Sequence, residues 1–255
     1  MKKESTKTIN DLVYYGNIKI VQDKNYFNFS LDSILLPNFA LLTPNTKKIM
    51  DLCSGNLPIP LVLSTKTSAE IYAVELQKEI YDLALETLKI NNLESKIKLY
   101  NENAKNMINM FETDTFDLIT CNPPYFKKEK DSIINENMVK SIARHEIEIK
   151  LEDIITISRK LLKNGGSLCM VHRTDRLIEI IELMKKNNIE PKRIRFIYPK
   201  KNSESNLILI DGRKNGKSGL KILPPLFVHN EDGTYTEEVL KMFGSDRNES
   251  KKLWK

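Results

Sequence analysis

At 255 residues with 40% hydrophobic content, the chain is long enough to bury a sizeable core. It holds no apolar run long enough to cross a membrane, and its first residues are polar and charged without the apolar segment of a secretory leader, so a cytoplasmic protein with no membrane partner is expected. The net charge of +6 points toward a polyanionic partner, while three widely spaced cysteines and three scattered histidines argue against a disulfide framework or a metal site.

Residues 8–42 mix aromatic and polar residues ahead of the first core strand and read as an N-terminal extension lying over the active-site side. The first core strand, 48–52, runs into the small-residue turn Cys53-Ser54-Gly55-Asn56 and a helical stretch at 58–64. A strand at 70–74 ends on Glu75, twenty residues after Gly55, the spacing at which an acid accepts hydrogen bonds from the ribose hydroxyls of a nucleoside cofactor. A helix over 76–91 and strands at 96–100 and 116–121 follow. Residues 126–144 are charged and are expected to form a mobile loop that orders on substrate. A helix over 151–162 closes on the stop signal Lys163-Asn164-Gly165-Gly166, and a strand at 167–172, a helix at 176–187 and strands at 193–198 and 206–211 complete the pattern. This alternation predicts a single α/β domain spanning residues 1–255, with a mostly parallel sheet and helices on both faces.

Two turns carry the chemistry. The turn after the first core strand has Gly55 alone, with Leu57 where a further glycine is expected, so it lacks the glycines that let backbone N–H groups cradle phosphate; a phosphate-free cofactor such as S-adenosylmethionine suits it better. After the strand at 116–121 comes Asn122-Pro123-Pro124-Tyr125. Its prolines force a sharp turn at the carboxyl end of the strand, where open α/β sheets hold their ligands. The Asn122 side-chain oxygen and the Pro123 carbonyl can accept both hydrogens of an NH2 group, and Tyr125 offers a flat face to a planar ring. Acceptors holding both hydrogens favour the pyramidal nitrogen that attacks an electrophile.

With these motifs the chain resembles the amino-directed, S-adenosylmethionine-dependent methyltransferases of the Rossmann-like class I, whose signature is Asn/Asp-Pro-Pro-Tyr/Phe. Within that class it is most similar to the bacterial tRNA(Val) adenine-N6 methyltransferases, which modify adenosine 37 beside the anticodon. Phe27-Asn28-Phe29-Ser30-Leu31-Asp32-Ser33, Ala143-Arg144-His145-Glu146 and Pro191-Lys192-Arg193 extend the match. The resemblance implies a seven-stranded sheet, S-adenosyl-L-methionine as cofactor and tRNA as partner. It implies catalysis by Asn122, Pro123, Pro124 and Tyr125, and a cofactor pocket formed by Gln22, Phe29, Asp32, Asp51, Cys53, Gly55, Glu75, Leu76, Asn103, Ala104 and Asn122. Asn103 stands where such enzymes often carry an acid for the adenine amino group. A monomer is expected.

The basic residues concentrate between 185 and 217, and Arg144, Lys192, Arg193, Arg195, Lys200 and Lys201 are expected to contact RNA phosphates. The motif by itself also suits a protein-glutamine methyltransferase or a guanine-N2 enzyme of ribosomal RNA. A non-catalytic RNA-binding module is the alternative of another class, motivated by Leu57 and Asn103.

Overall fold

The computed structural model describes residues 6–14, 17–26, 29–125 and 149–244. The expected loop at 126–144, with Arg144, lies outside them. The core strands are β3 (Lys48–Leu52), β4 (Glu70–Glu75), β5 (Ile97–Asn101), β6 (Phe116–Cys121), β7 (Leu162–Arg173), β8 (Ile189–Lys200) and β9 (Leu207–Lys214), preceded by β1 (Lys7–Val13) and β2 (Ile18–Asp23). The helices are α1 (Asp32–Phe39), α2 (Pro58–Ser64), α3 (Lys78–Asn91), α4 (Met107–Met110), α5 (Leu151–Leu161), α6 (Leu177–Lys186) and α7 (Glu237–Phe243).

The sheet runs β8-β9-β7-β6-β3-β4-β5, parallel throughout except for β9, which is antiparallel to both β7 and β8. These are the seven expected strands. Two short strands, β10 (Lys221–Ile222) and β11 (Leu226–His229), pair in parallel with β8 and bring the sheet to nine. Two and four residues carry almost no periodic signal, which is why the sequence pattern passes over them.

Alternate side chains of the central strands enter two different cores. Ile49, Ile71 and Leu118 pack into one face with α1 and α2, whereas Met50, Leu52, Val74 and Ile119 pack into the other with α5 and α6. Burial on both faces explains the continuous apolar runs of β3 and β6. The stop after α5 falls where expected: the helix ends at Leu161, and Gly165 takes a φ of +77° inside a wide irregularity that pairs Phe116 with Leu162 and Leu118 with Ser167.

The N-terminal extension divides in two. β1 and β2 form an antiparallel hairpin, and β2 packs on α3, where the Val21 N–H donates to Thr87 Oγ1 at 3.1 Å. The residues from Phe29 onward turn instead toward the carboxyl ends of β3, β4 and β6. Among the described residues no helix is long and apolar enough to cross a membrane, and no group of side chains could hold a metal ion.

Candidate active site

At the carboxyl ends of β3, β4, β5 and β6 lies a cavity of about 470 Å³, within the range of small-molecule and cofactor sites. Its walls bring together Phe29 and Asp32, Cys53 and Gly55, Glu75 and Leu76, Asn103 and Ala104, and all four residues of Asn122-Pro123-Pro124-Tyr125. The two turns singled out in the sequence face one another because β3 and β6 are adjacent, with Leu52 paired to Cys121.

The turn after β3 is bound to β4. Ser54 Oγ donates to the Asp51 carbonyl at 2.8 Å and accepts from the Val74 N–H at 3.1 Å, while the Gly55 N–H donates to Glu75 Oε2 at 2.9 Å. Glu75 Oε1 accepts from the Gln77 N–H at 2.8 Å. Burial pushes the Glu75 carboxyl above its ordinary pKa, against the pull of these backbone donors. Each oxygen retains acceptor capacity beyond the one bond described, as two ribose hydroxyls require. Cys53, Gly55 and Leu57 have φ of +58°, +55° and +76°. The turn therefore uses left-handed backbone at three alternate positions, only one of which is glycine.

Two expected pocket residues are not in the cavity wall. Asp51 is fully buried beneath the turn, where its Oδ1 accepts from Thr120 Oγ1 at 2.5 Å across the β3–β6 pairing and its Oδ2 has no partner among the described residues. Burial raises its pKa to about 7, with the Thr120 bond opposing. By strand alternation it shares the face of Ile49 and Leu118, and it is not among the residues lining the cavity. Gln22 sits on the hairpin and accepts from Asn10 Nδ2 at 2.7 Å. The hairpin reaches the turn through backbone instead, since the Val21 carbonyl accepts from Asn56 Nδ2 at 2.9 Å.

Asn103 lines the cavity, but its side chain caps the short helical turn that follows, accepting from the Lys105 N–H at 3.0 Å. The acid at this wall is its neighbour Glu102, whose Oε1 accepts from the Asn103 N–H at 2.7 Å and from Asn106 Nδ2 at 2.9 Å. Neither Glu102 nor Ser33 was assigned to the pocket from the sequence, although Ser33 ends the matched stretch 27–33. Ser33 Oγ accepts from Asn122 Nδ2 at 3.3 Å, while the Tyr125 hydroxyl lies 2.6 Å from Asn122 Oδ1 and 2.7 Å from Asp32 Oδ2. Only the position of Ser33 beside Asp32 hinted at this. The Tyr125 ring is tilted against His172 at 5.4 Å between centroids; burial lowers the His172 pKa to about 4, so the ring behind Tyr125 is neutral at pH 7.

The expected RNA contacts separate by position. Arg193 is engaged internally: its guanidinium pairs with Asp211, donates to the Phe39 carbonyl at 3.0 Å and stacks on the Phe39 ring. Arg195 donates to the Pro224 carbonyl at 3.0 Å and pairs with Glu238 at 2.7 Å. Neither is free to serve as an open phosphate contact. Lys192 lies near the start of β8, at the end of the sheet away from the cavity, and donates to the Lys217 carbonyl at 3.1 Å. Because β8 runs parallel to β6 and β7, Lys200 and Lys201 fall at the same sheet end as Asn122, and both are exposed.

The methyltransferase small domain family matches residues 31–188. The chain is 24% identical over 202 residues to a tRNA1(Val) (adenine(37)-N6)-methyltransferase of Parabacteroides distasonis, covering 79% of this chain and 83% of that one. With the protein of the same name in Cytophaga hutchinsonii it shares 23% identity over 239 residues, 92% of this chain and 98% of the other. Among solved structures, a predicted O-methyltransferase from Agrobacterium tumefaciens superposes with a TM-score of 0.67 at 18% identity, covering 84% of this chain and 95% of that one. A geranyl diphosphate C-methyltransferase from Streptomyces coelicolor, solved with S-adenosyl-L-homocysteine, gives 0.54 at 11% identity, covering 71% and 76%.

Proposed function

Because the chain belongs to the methyltransferase small domain family, we propose that it transfers the methyl group of S-adenosyl-L-methionine to the N6 amine of an adenosine in tRNA, and that this adenosine is number 37 of tRNA(Val). One observation carries the reading: Asn122-Pro123-Pro124-Tyr125 shares a cavity wall with the Gly55 turn and Glu75, so an amine acceptor and a nucleoside pocket meet in one space. The relatives named for this reaction align over most of the chain and support the choice of substrate.

The residues fit the cofactor. Glu75 would take the ribose hydroxyls, and the backbone of Cys53 and Gly55 would line the methionine side. Leu76, Asn103 and Ala104 would flank the adenine, with Glu102 as the nearby acid and Phe29 and Asp32 on the opposite wall. The turn's single glycine and its tie to a carboxylate suit a ligand without phosphate. When bound, the cofactor supplies an electrophilic methyl group on a sulfonium.

The chain's own contribution is positioning. The target adenosine leaves its stack, and Tyr125 binds the ring for about 1 to 3 kcal/mol. Asn122 Oδ1 and the Pro123 carbonyl accept the two amine hydrogens and turn the nitrogen lone pair toward the methyl. These bonds strengthen as the nitrogen gains positive charge, so they stabilise the transition state more than the bound substrate. The Lys200–Lys201 end of β8 would meet RNA phosphates. Asn122→Ala is expected to lower kcat at least about a hundredfold while changing cofactor affinity less than about threefold; single-turnover transfer alongside calorimetric cofactor binding reads both. A variant turning over at the wild-type rate would contradict the assignment.

A further inference from the structure

The Tyr125 hydroxyl has one hydrogen and two acceptors in reach, Asp32 Oδ2 at 2.7 Å and Asn122 Oδ1 at 2.6 Å. A carboxylate competes for that hydrogen better than a neutral amide oxygen, because charge-assisted bonds are roughly twice as strong. The phenol does not escape the competition by ionising, since burial first and the Asp32 charge second push its pKa well above the ordinary value. Meanwhile Asn122 Nδ2 is held by Ser33 Oγ at 3.3 Å, which fixes the amide with its oxygen toward Tyr125. Asp32 and Ser33 are the first two residues of α1, whose next four residues are all buried, so the two acceptors are presented by a packed element.

The position of one hydrogen therefore sets how strongly Asn122 can accept from an amine. Directed at Asn122, it would take one of the two lone pairs of the amide oxygen and draw electron density from the other, weakening it as an acceptor for an amine. Directed at Asp32, it leaves the Tyr125 and Asn122 oxygens facing each other with no hydrogen between them. An incoming N–H relieves that repulsion, and does so more strongly as the nitrogen becomes cationic.

We propose that Asp32 is a positioning residue for methyl transfer: it draws the Tyr125 hydrogen away from Asn122, so that the Asn122 amide oxygen meets the substrate amine at full acceptor strength. This rests on the reading of Asn122 as the amine acceptor given above. It assigns Asp32 a role in the reaction beyond lining the cofactor cavity.

The test is a double-mutant cycle on methyl transfer to unmodified tRNA, with wild type, Asp32→Ala, Tyr125→Phe and the double variant, and with S-adenosylmethionine binding measured by calorimetry for each. Asp32→Ala should lower kcat about ten- to hundredfold, the equivalent of one hydrogen bond to a charged group. Because Asp32 also lines the cofactor cavity, kcat is read at saturating cofactor, and it should fall at least about threefold more than cofactor affinity does. Tyr125→Phe has no hydrogen to misdirect and should lose less, about threefold. The double variant should be as active as Tyr125→Phe alone, so that removing the hydroxyl rescues the loss of Asp32. Losses that multiply in the double variant, or a fall in cofactor affinity matching the fall in rate, would overturn the proposal. A wild-type protein that methylates no tRNA would instead overturn the reading on which the proposal rests, and the proposal with it.

Discussion

Cys53 and Leu57 occupy left-handed backbone that costs a non-glycine residue roughly 1 to 2 kcal/mol, yet the same substitution should affect them oppositely. Cys53 is half-exposed at the cavity wall. Cys53→Gly should therefore be neutral or stabilise by up to about 1 kcal/mol, relief of strain outweighing the added unfolded-state entropy. Leu57 is fully buried against both α2 and the core of that face. Leu57→Gly should destabilise by about 2 kcal/mol or more, because the lost burial and the cavity exceed the strain. Denaturant titration of the two variants checks the signs; Leu57→Gly more stable than wild type would mean that the backbone strain had been understated. The sequence marked Leu57 as the residue in place of a glycine. It could not show that the left-handed geometry is kept and offset by packing.

Asp51 makes a prediction in pH. Its carboxyl is raised to about 7 in the fold by burial, above the ordinary unfolded value near 3.9. Between those values the folded state binds the extra proton, so its contribution is fully present below the unfolded pKa and is lost as pH rises through about 7. Asp51→Asn removes this dependence. Stability relative to wild type should rise by up to about 4 kcal/mol between pH 4 and pH 8. Chemical denaturation at the two pH values measures it, and an unchanged difference would show that Asp51 is ionised throughout in the fold.

At the scale of elements, β8 carries two kinds of basic residue that the sequence could not separate. Arg193 faces inward to Asp211, whose pKa is raised by burial and drawn back by Arg193. Arg193→Ala leaves that carboxylate without its cation and should cost about 3 kcal/mol of stability. Lys200 and Lys201 are exposed at the same sheet end as Asn122. Replacing both with alanine should leave stability within about 0.5 kcal/mol and weaken tRNA binding, with the slope of log K against log salt reduced by about one per lysine. Filter binding across a salt series decides between the classes; an unaltered salt slope in the lysine variant would remove this end of β8 from the RNA surface.

The core strands and the two chemical turns were legible because burial on both sheet faces writes continuous apolar runs, and because prolines and small residues punctuate them. The β1–β2 hairpin was not, since five of the seven residues of β1 are exposed and the strand is held mainly by backbone pairing to β2. Glu102 and Ser33 went unassigned for a related reason. Each is a single polar residue next to one already assigned, and only the turn geometry decides which neighbour faces the cavity.

Across the whole molecule, the Asn122-Pro123-Pro124-Tyr125 turn, the cavity walled by Gly55 and Glu75, and exposed Lys200 and Lys201 lie at one end of a single sheet. The most direct measurement is tritiated-methyl transfer from S-adenosylmethionine to unmodified tRNA, with ribosomal RNA, DNA and release factor in parallel, followed by nucleoside analysis. Label confined to tRNA and recovered as N6-methyladenosine is the predicted result. Label in release factor, or in guanosine of ribosomal RNA, would contradict the substrate assignment, and no label in any substrate would contradict the enzyme.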